Sequence, residues 1–259
     1  MRTFCEFVRA AGLAEEWFFI RYSDPDPHLR LRFRGVPERL VGQLVPQVCS
    51  WAADLMNEGA CLRFCFDTYD REVERYGGVS GIAAAEALFA ADSRAVAELL
   101  YLDQQGSLGI DRTTLAMLSI DDLLASLRLT EADRLNWYRD RVVSRHETGP
   151  EYRQRKGLFL RTLLGNPQEL QTESGGEPME QAFAARRAAL APVARRLGEL
   201  AEQGKLCQPR GMLYRSFVHM HCNRLLGSGQ ATEEQALGLL LRTREGLDKA
   251  PLKRVGGRT

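Results

Sequence analysis

Seven residues constrain this chain more than any others: His28-Leu29-Arg30-Leu31-Arg32-Phe33-Arg34 alternates polar and apolar side chains without a break. A period of two does not fit one face of a helix. It is the pattern of a half-buried strand, with Arg30, Arg32 and Arg34 on one side and Leu29, Leu31 and Phe33 on the other. At a rise of about 3.3 Å per residue, neighbouring arginines stand roughly 6.6 Å apart, close enough for two guanidinium forks to hold the carboxylates of one small ligand. The strand therefore predicts a carboxylate-handling site as well as a sheet.

The surroundings of this strand extend the prediction. Glu16-Trp17-Phe18-Phe19-Ile20-Arg21-Tyr22 is a second, aromatic-rich strand candidate, and Asp24-Pro25-Asp26-Pro27 is a turn that joins the two into a hairpin. From Pro37 to Met56, Leu40, Val41, Leu44, Val45, Val48 and Ala52 fall at helical spacing, and Ala60-Cys61-Leu62-Arg63-Phe64-Cys65-Phe66 returns to a strand pattern. Beyond Gly78 the periodicity is helical almost throughout, over about 83–101, 113–128, 130–145, 152–164, 179–203, 209–226 and 232–247. Thr130 and Thr232 read as N-caps, each followed by acidic residues, and Glu173-Ser174-Gly175-Gly176-Glu177-Pro178 reads as the clearest loop. The expected class is α+β: an N-terminal antiparallel sheet built as hairpin, helix and strand, with a helical remainder packed around it. Residues 1–259 are expected to form one domain, within which 179–247 is a candidate helical subdomain.

Composition narrows the function. With 35 Lys and Arg against 34 Asp and Glu, the net charge is near +1, so neither a nucleic-acid polyelectrolyte nor a membrane-surface protein is expected and any anion preference is local. No apolar run approaches the roughly 20 residues of a membrane span, and Met1-Arg2-Thr3-Phe4-Cys5-Glu6 is no signal peptide, which makes a cytoplasmic location the expectation. The six cysteines are sparse and irregular and read as reduced thiols in or near a core.

Two further constellations carry chemistry. Tyr69-Asp70-Arg71-Glu72-Val73-Glu74-Arg75-Tyr76-Gly77-Gly78 follows the third strand candidate; on a helix Glu72 and Arg75 would share a side, as would Arg71 and Arg75. Taken alone, it reads as an exposed ion-paired turn capped by glycine. In Arg215-Ser216-Phe217-Val218-His219-Met220-His221-Cys222-Asn223-Arg224, the residues Arg215, His219 and Asn223 form one i,i+4 stripe, while His221 lies about 200° round from His219. His219, between Val218 and Met220, reads alone as a partly buried core histidine and, beside an arginine strand, as a site residue. Of the nearby ligand types only His219 and Cys222 have same-face spacing, and Cys61 and Cys65 would stand about 13 Å apart on a strand, so no metal is expected. Nucleotide-binding glycine motifs and a nucleophile elbow are missing from the sequence, so the chemistry is expected to need no cofactor.

Together, Trp17 to Tyr22, Asp24 to Arg32, Tyr69 to Gly78 and His219 to Leu225 make the chain, over about residues 12 to 246, resemble the C-terminal elimination domain of class I lanthipeptide dehydratases. That domain also occurs alone in split thiopeptide dehydratases. The resemblance implies a lyase that expels glutamate from glutamylated Ser or Thr of a precursor peptide, leaving dehydroalanine or dehydrobutyrine. A separate glutamylation protein working with glutamyl-tRNA would make the ester, so this chain would contact no nucleic acid itself. By resemblance Arg30, Arg32 and Arg75 are the anion clamps and His219 takes or relays the α-proton. Glu72 pairs with the substrate ammonium or orients Arg75, and Arg34, Arg71 and Asn223 complete the substrate contacts. Related thiopeptide domains instead close a pyridine ring between two dehydroalanines with release of the leader; a non-catalytic peptide-binding scaffold is the third reading. The family usually has another strand and most of a helix before the Trp17 region. Here only Met1 to Leu13 precede it, so either the start is trimmed or the sheet lacks a strand, which would leave an exposed edge that a partner chain, or a second copy in a homodimer, would cover.

Overall fold

A computed structural model describes residues 1–142, 146–164, 176–227 and 229–248. The two aromatic and arginine runs form strands β1 (Glu16–Tyr22) and β2 (His28–Arg34), paired antiparallel from Glu16↔Arg34 to Tyr22↔His28. Residues opposite each other share a face. Phe18, Ile20 and Tyr22 therefore stand beside Arg32, Arg30 and His28, while Trp17 and Phe19 stand beside Phe33 and Leu31. This second face is the buried one at β1, where Trp17 and Phe19 are almost fully enclosed.

Helix α1 (Arg2–Ala10) and the helical stretch α2 (Pro37–Arg39), a π-helical turn over Leu40–Leu44 and α3 (Val45–Asn57) pack beside the hairpin. Phe4 meets Phe33 edge-on at 6.5 Å and stacks on Trp51 at 4.4 Å, and Val8, Ala14, Leu44 and Val48 form a small separate core. The remaining helices are α4 (Gly78–Gln104), α5 (Arg112–Ser126), α6 (Glu131–Arg141), α7 (Gly149–Leu164), α8 (Gly176–Glu202), α9 (Arg210–Leu226) and α10 (Gln230–Asp248). The alanine-rich α4 is buried along most of its length, because small side chains let α8, α9 and β1 approach it closely. Thr130 caps α6 in a reciprocal box with Asp133.

The α+β class holds, with corrections of detail. The sheet has two strands, and Ala60–Phe66 is not a third: Leu62 is 94% exposed, and Phe64 and Phe66 face solvent beside it. Alternation supplies only the side-chain half of a strand, and this run has no ladder to join. The edge of β1 is not bare either. Phe19 N–H donates to Ser93 Oγ at 3.2 Å, and its carbonyl accepts from Arg224 Nε at 2.9 Å. The amide of Asn223 takes both backbone groups of Arg21, at 2.9 and 2.8 Å. Helix α1 occupies a stretch where no element was expected. Helix α10 begins before Thr232, whose hydroxyl donates to the Gly229 carbonyl at 2.7 Å. Of the expected loop at 173–178, residues 173–175 lie outside the described residues and Gly176, Glu177 and Pro178 already open α8; Arg145 of the expected 130–145 helix is likewise outside them. Only Cys5 and Cys222 are buried thiols, and burial pushes Cys5 up to about 12.

Two carboxylates organise the buried charge. Asp92 on α4 receives Arg186 Nη1 at 3.0 Å, His221 Nδ1 at 2.9 Å and Arg224 Nη1 at 3.1 Å, with all four side chains shut off from solvent. On α5, Asp121 receives Arg134, Tyr138 and Arg244. Burial alone would raise the Asp92 carboxyl; His221, Arg224 and Arg186 outweigh it and hold the group well below the usual carboxylate range.

Candidate active site

The arginine face of the hairpin opens into a cleft of about 250 Å³. One wall is Ile20 and Tyr22 with Arg30 and Arg32; the other is the chain from Asp67 to Asp70 with Glu72; Phe18, Tyr76 and Phe89 also line it. The aromatic groups pack together, with Phe18 5.6 Å from Phe89 and Tyr76 edge-on to Phe89 at 4.8 Å. This wall follows from the hairpin register, because Phe18, Ile20 and Tyr22 are the residues that share the face of the arginines.

Both cleft arginines lie over aromatic rings. Arg32 Cζ is 4.6 Å from the centre of Tyr69 and 5.6 Å from that of Phe18, and Arg30 Cζ is 4.0 Å from that of Tyr22. Stacking leaves the edge of a guanidinium, where its N–H groups point, available to an anion. Arg32 Nη1 is buried without a hydrogen-bond partner within the protein, and among the residues that line the cleft it is the one such donor. Burial raises Tyr76 to about 12 and, with Glu86 beside it and hydrogen-bonded to it, lifts Tyr69 higher still.

The other predicted residues are distributed around this cleft. Glu72 lines it and accepts from Arg75 Nη1 at 2.9 Å; the pair forms an exposed turn that closes through Gly77 in the left-handed region. Gln208 and Cys207 bind the carbonyls of Arg75 and Glu74 and fasten the turn to the chain before α9. Arg71 commits its fork to Glu86, at 2.7 and 2.6 Å, and Arg34 pairs with Glu16 at 3.7 Å. Asn223 holds the β1 backbone, as described above. His219 is half exposed with Nδ1 2.8 Å from Glu233 Oε2, outside the cleft lining, and the buried histidine is His221, so the expected core position of His219 is reversed. Sequence reasoning missed Tyr22, Asp67, Asp70 and Phe89. The first was accessible from the register; the others arrive by long-range packing.

Among the described residues, no group of three or more His, Cys, Asp or Glu side chains converges on one point. The family model for the C-terminal region of lantibiotic biosynthesis dehydratases matches residues 1–244. The chain belongs to that family. It is 30% identical over 224 residues to the subtilin biosynthesis protein SpaB of Bacillus subtilis, a match that takes in 86% of this chain and 21% of SpaB. Over 92 residues it is 36% identical to the nisin biosynthesis protein NisB of Lactococcus lactis subsp. lactis, covering 36% of this chain and 9% of NisB. The fold is that of part of the tRNA-dependent lantibiotic dehydratase MibB from Microbispora sp. 107891, with a TM-score of 0.81 and 24% identity over 94% of this chain and 26% of MibB. The chain thus spans about a fifth of the length of SpaB and a quarter of that of MibB.

Proposed function

We propose that this chain is a glutamate-eliminating lyase, acting on Ser and Thr residues of a precursor peptide that a partner glutamylation protein has esterified from glutamyl-tRNA. The observation that carries this reading is the pairing of Arg30 with Arg32 on one cleft wall, Arg32 holding a buried donor without a partner. A glutamyl ester carries one free carboxylate and becomes a second as it departs, so adjacent guanidinium groups suit both the bound ester and the leaving group. Glu72 opposite them suits the ammonium, or orients Arg75, with which it pairs although Arg75 lies outside the cleft lining. The step is a β-elimination. The α-proton of the esterified residue goes to a base, the Cα–Cβ double bond forms, the Cβ–O bond breaks, and glutamate leaves as its carboxylate.

His219 is our proposed base or proton relay. A carboxylate only accepts, so the contact with Glu233 places the neutral-ring proton on Nδ1 and leaves Nε2 with a lone pair. Supporting its placement, His219 lies one helical turn from Asn223, which grips Arg21, the neighbour of the cleft residue Tyr22. The near-zero net charge agrees with tRNA being handled by the partner, and no described helix is long and apolar enough to cross a membrane; we place the reaction in the cytoplasm.

The test is mass spectrometry of a defined peptide bearing one glutamyl-Ser ester, incubated with the protein or its Arg32→Ala variant. Loss of glutamate to dehydroalanine with the parent protein alone supports the lyase. An intact ester, together with leader release from a peptide that already carries two dehydroalanines, would replace it with the pyridine-forming reading.

A further inference from the structure

His28 has no part in the reaction proposed above, yet it has three specific contacts, two of them with the cleft residues Arg30 and Tyr22. Its Nδ1 is 2.8 Å from the carbonyl oxygen of Asp26, its Nε2 is 3.2 Å from Arg30 Nε, and its ring stacks on Tyr22 with centroids 5.2 Å apart and planes 11° from parallel. Tyr22 is the residue directly opposite His28 in the ladder and is also the ring under the Arg30 guanidinium.

These contacts fix one protonation state. A carbonyl oxygen can only accept, so Nδ1 carries the proton; Arg30 Nε can only donate, so Nε2 presents a lone pair. Of the two neutral tautomers only the Nδ1–H form satisfies both, and the imidazolium satisfies the first while losing the second. Arg30 is thereby held at two points, by Nε on the histidine and by its face on Tyr22.

We propose that His28 is a positioning residue for Arg30, and that its protonation releases the guanidinium from its cleft-facing pose. The groups facing the ring are Tyr22 from β1, Arg30 from β2 and the Asp26 carbonyl in the turn. Acidification thus removes an acceptor and adds a like charge at the same place. The role of Arg30 in substrate binding rests on the lyase reading; the effect of His28 on Arg30 does not.

Two measurements test it. The first is nitrogen-detected NMR of the protein labelled at histidine and arginine, with the His28→Phe variant, which keeps a stacked ring and removes the acceptor. The expected results are an Nδ1–H tautomer for His28 at neutral pH and a displaced Arg30 Nε–H signal in the variant. An Nε2–H tautomer, or an unmoved Arg30 signal, overturns the proposal whether or not the protein is a lyase. The second is the pH profile of KM for the glutamyl-Ser peptide. In the parent protein KM should rise on acidification, as protonation removes the acceptor for Arg30 Nε. His28→Phe should raise KM at neutral pH by about three- to tenfold, the net size of one hydrogen bond. His28→Gln, whose side-chain carbonyl can accept from Arg30, should recover most of that loss and flatten the profile. A His28→Phe protein with parental KM and the parental acid limb overturns the proposal. If the parent turns over no ester, the NMR arm still decides the positioning claim, and only the lyase reading falls.

Discussion

Asp92 Oδ2 on α4 and Arg224 Nη1 on α9 meet at 3.1 Å with neither side chain exposed to solvent. The same carboxylate also receives Arg186 and His221, and Arg224 in turn reaches the carbonyl of Phe19 in the hairpin. Removing the carboxylate would leave Arg224 buried without a counter-charge and Arg186 with Asp122 alone, a costly way to break such a network. Asp92→Asn is therefore expected to destabilise the fold by about 3–5 kcal/mol, read as a lower urea midpoint with an unchanged slope.

The pH dependence of stability follows from the same group. Its carboxyl is held below the range of an unfolded chain, so the stability it contributes is fully present above the unfolded value of about 4 and is lost as pH falls below it. Urea midpoints should decline from pH 5 to about pH 3, and more steeply in the parent than in Asp92→Asn. Parallel declines would assign the acid limb to other carboxylates.

Replacing Arg32 by Lys keeps the charge and removes both the planar fork and the stacking over Tyr69. Dehydroalanine formation from the glutamyl-Ser peptide is expected to fall about 10²–10³-fold, the scale of a lost donor to developing charge, with little change in thermal midpoint. Arg71→Lys, altering a fork that sits on Glu86, should leave the rate within a few-fold of the parent.

If His219 moves the proton, His219→Ala should slow elimination by about 10²–10⁴-fold. Glu233→Gln should slow it less, because the ring remains but loses the carboxylate that fixes its tautomer. Equal rates in all three proteins, measured by quenched-flow mass spectrometry, would remove this pair from the mechanism.

Asn223 offers a contrast. Both ends of its amide are used on the Arg21 backbone, so Asn223→Ala exposes a strand edge and should cost about 1–3 kcal/mol of stability. At a temperature where the variant remains folded, KM and kcat are the values to compare. A large loss there would give Asn223 a direct part in the chemistry.

The arginine face was legible because a period of two can be read from seven residues and needs no knowledge of the rest of the chain. The helices after Gly78 were legible for the same reason, down to the Thr130 cap. What long-range packing decides was not. Ala60–Phe66 has the alternation of a strand but no neighbour, and its apolar side chains lie open to solvent. In α9 the helical wheel separates His219 from His221, yet Leu213, Phe217, Val218, Met220, Cys222 and Leu225 are buried on several sides, so no apolar stripe tells which histidine turns inward. The roles of Asp92 and Glu86 likewise depend on partners more than ten residues away.

The side chains of Ser93, Asn223 and Arg224 fill the edge of β1 where another strand would ordinarily bind. A surface hairpin ordinarily frays independently of the body beneath it. Here Phe19 and Arg21 are tied to α4 and α9, and β2 follows β1 through the whole seven-residue register. The two cleft arginines consequently inherit the rigidity of the helical body. The opposite wall is fastened to the same body, because Tyr69 stacks under Arg32 and the adjoining Arg71 grips Glu86 of α4.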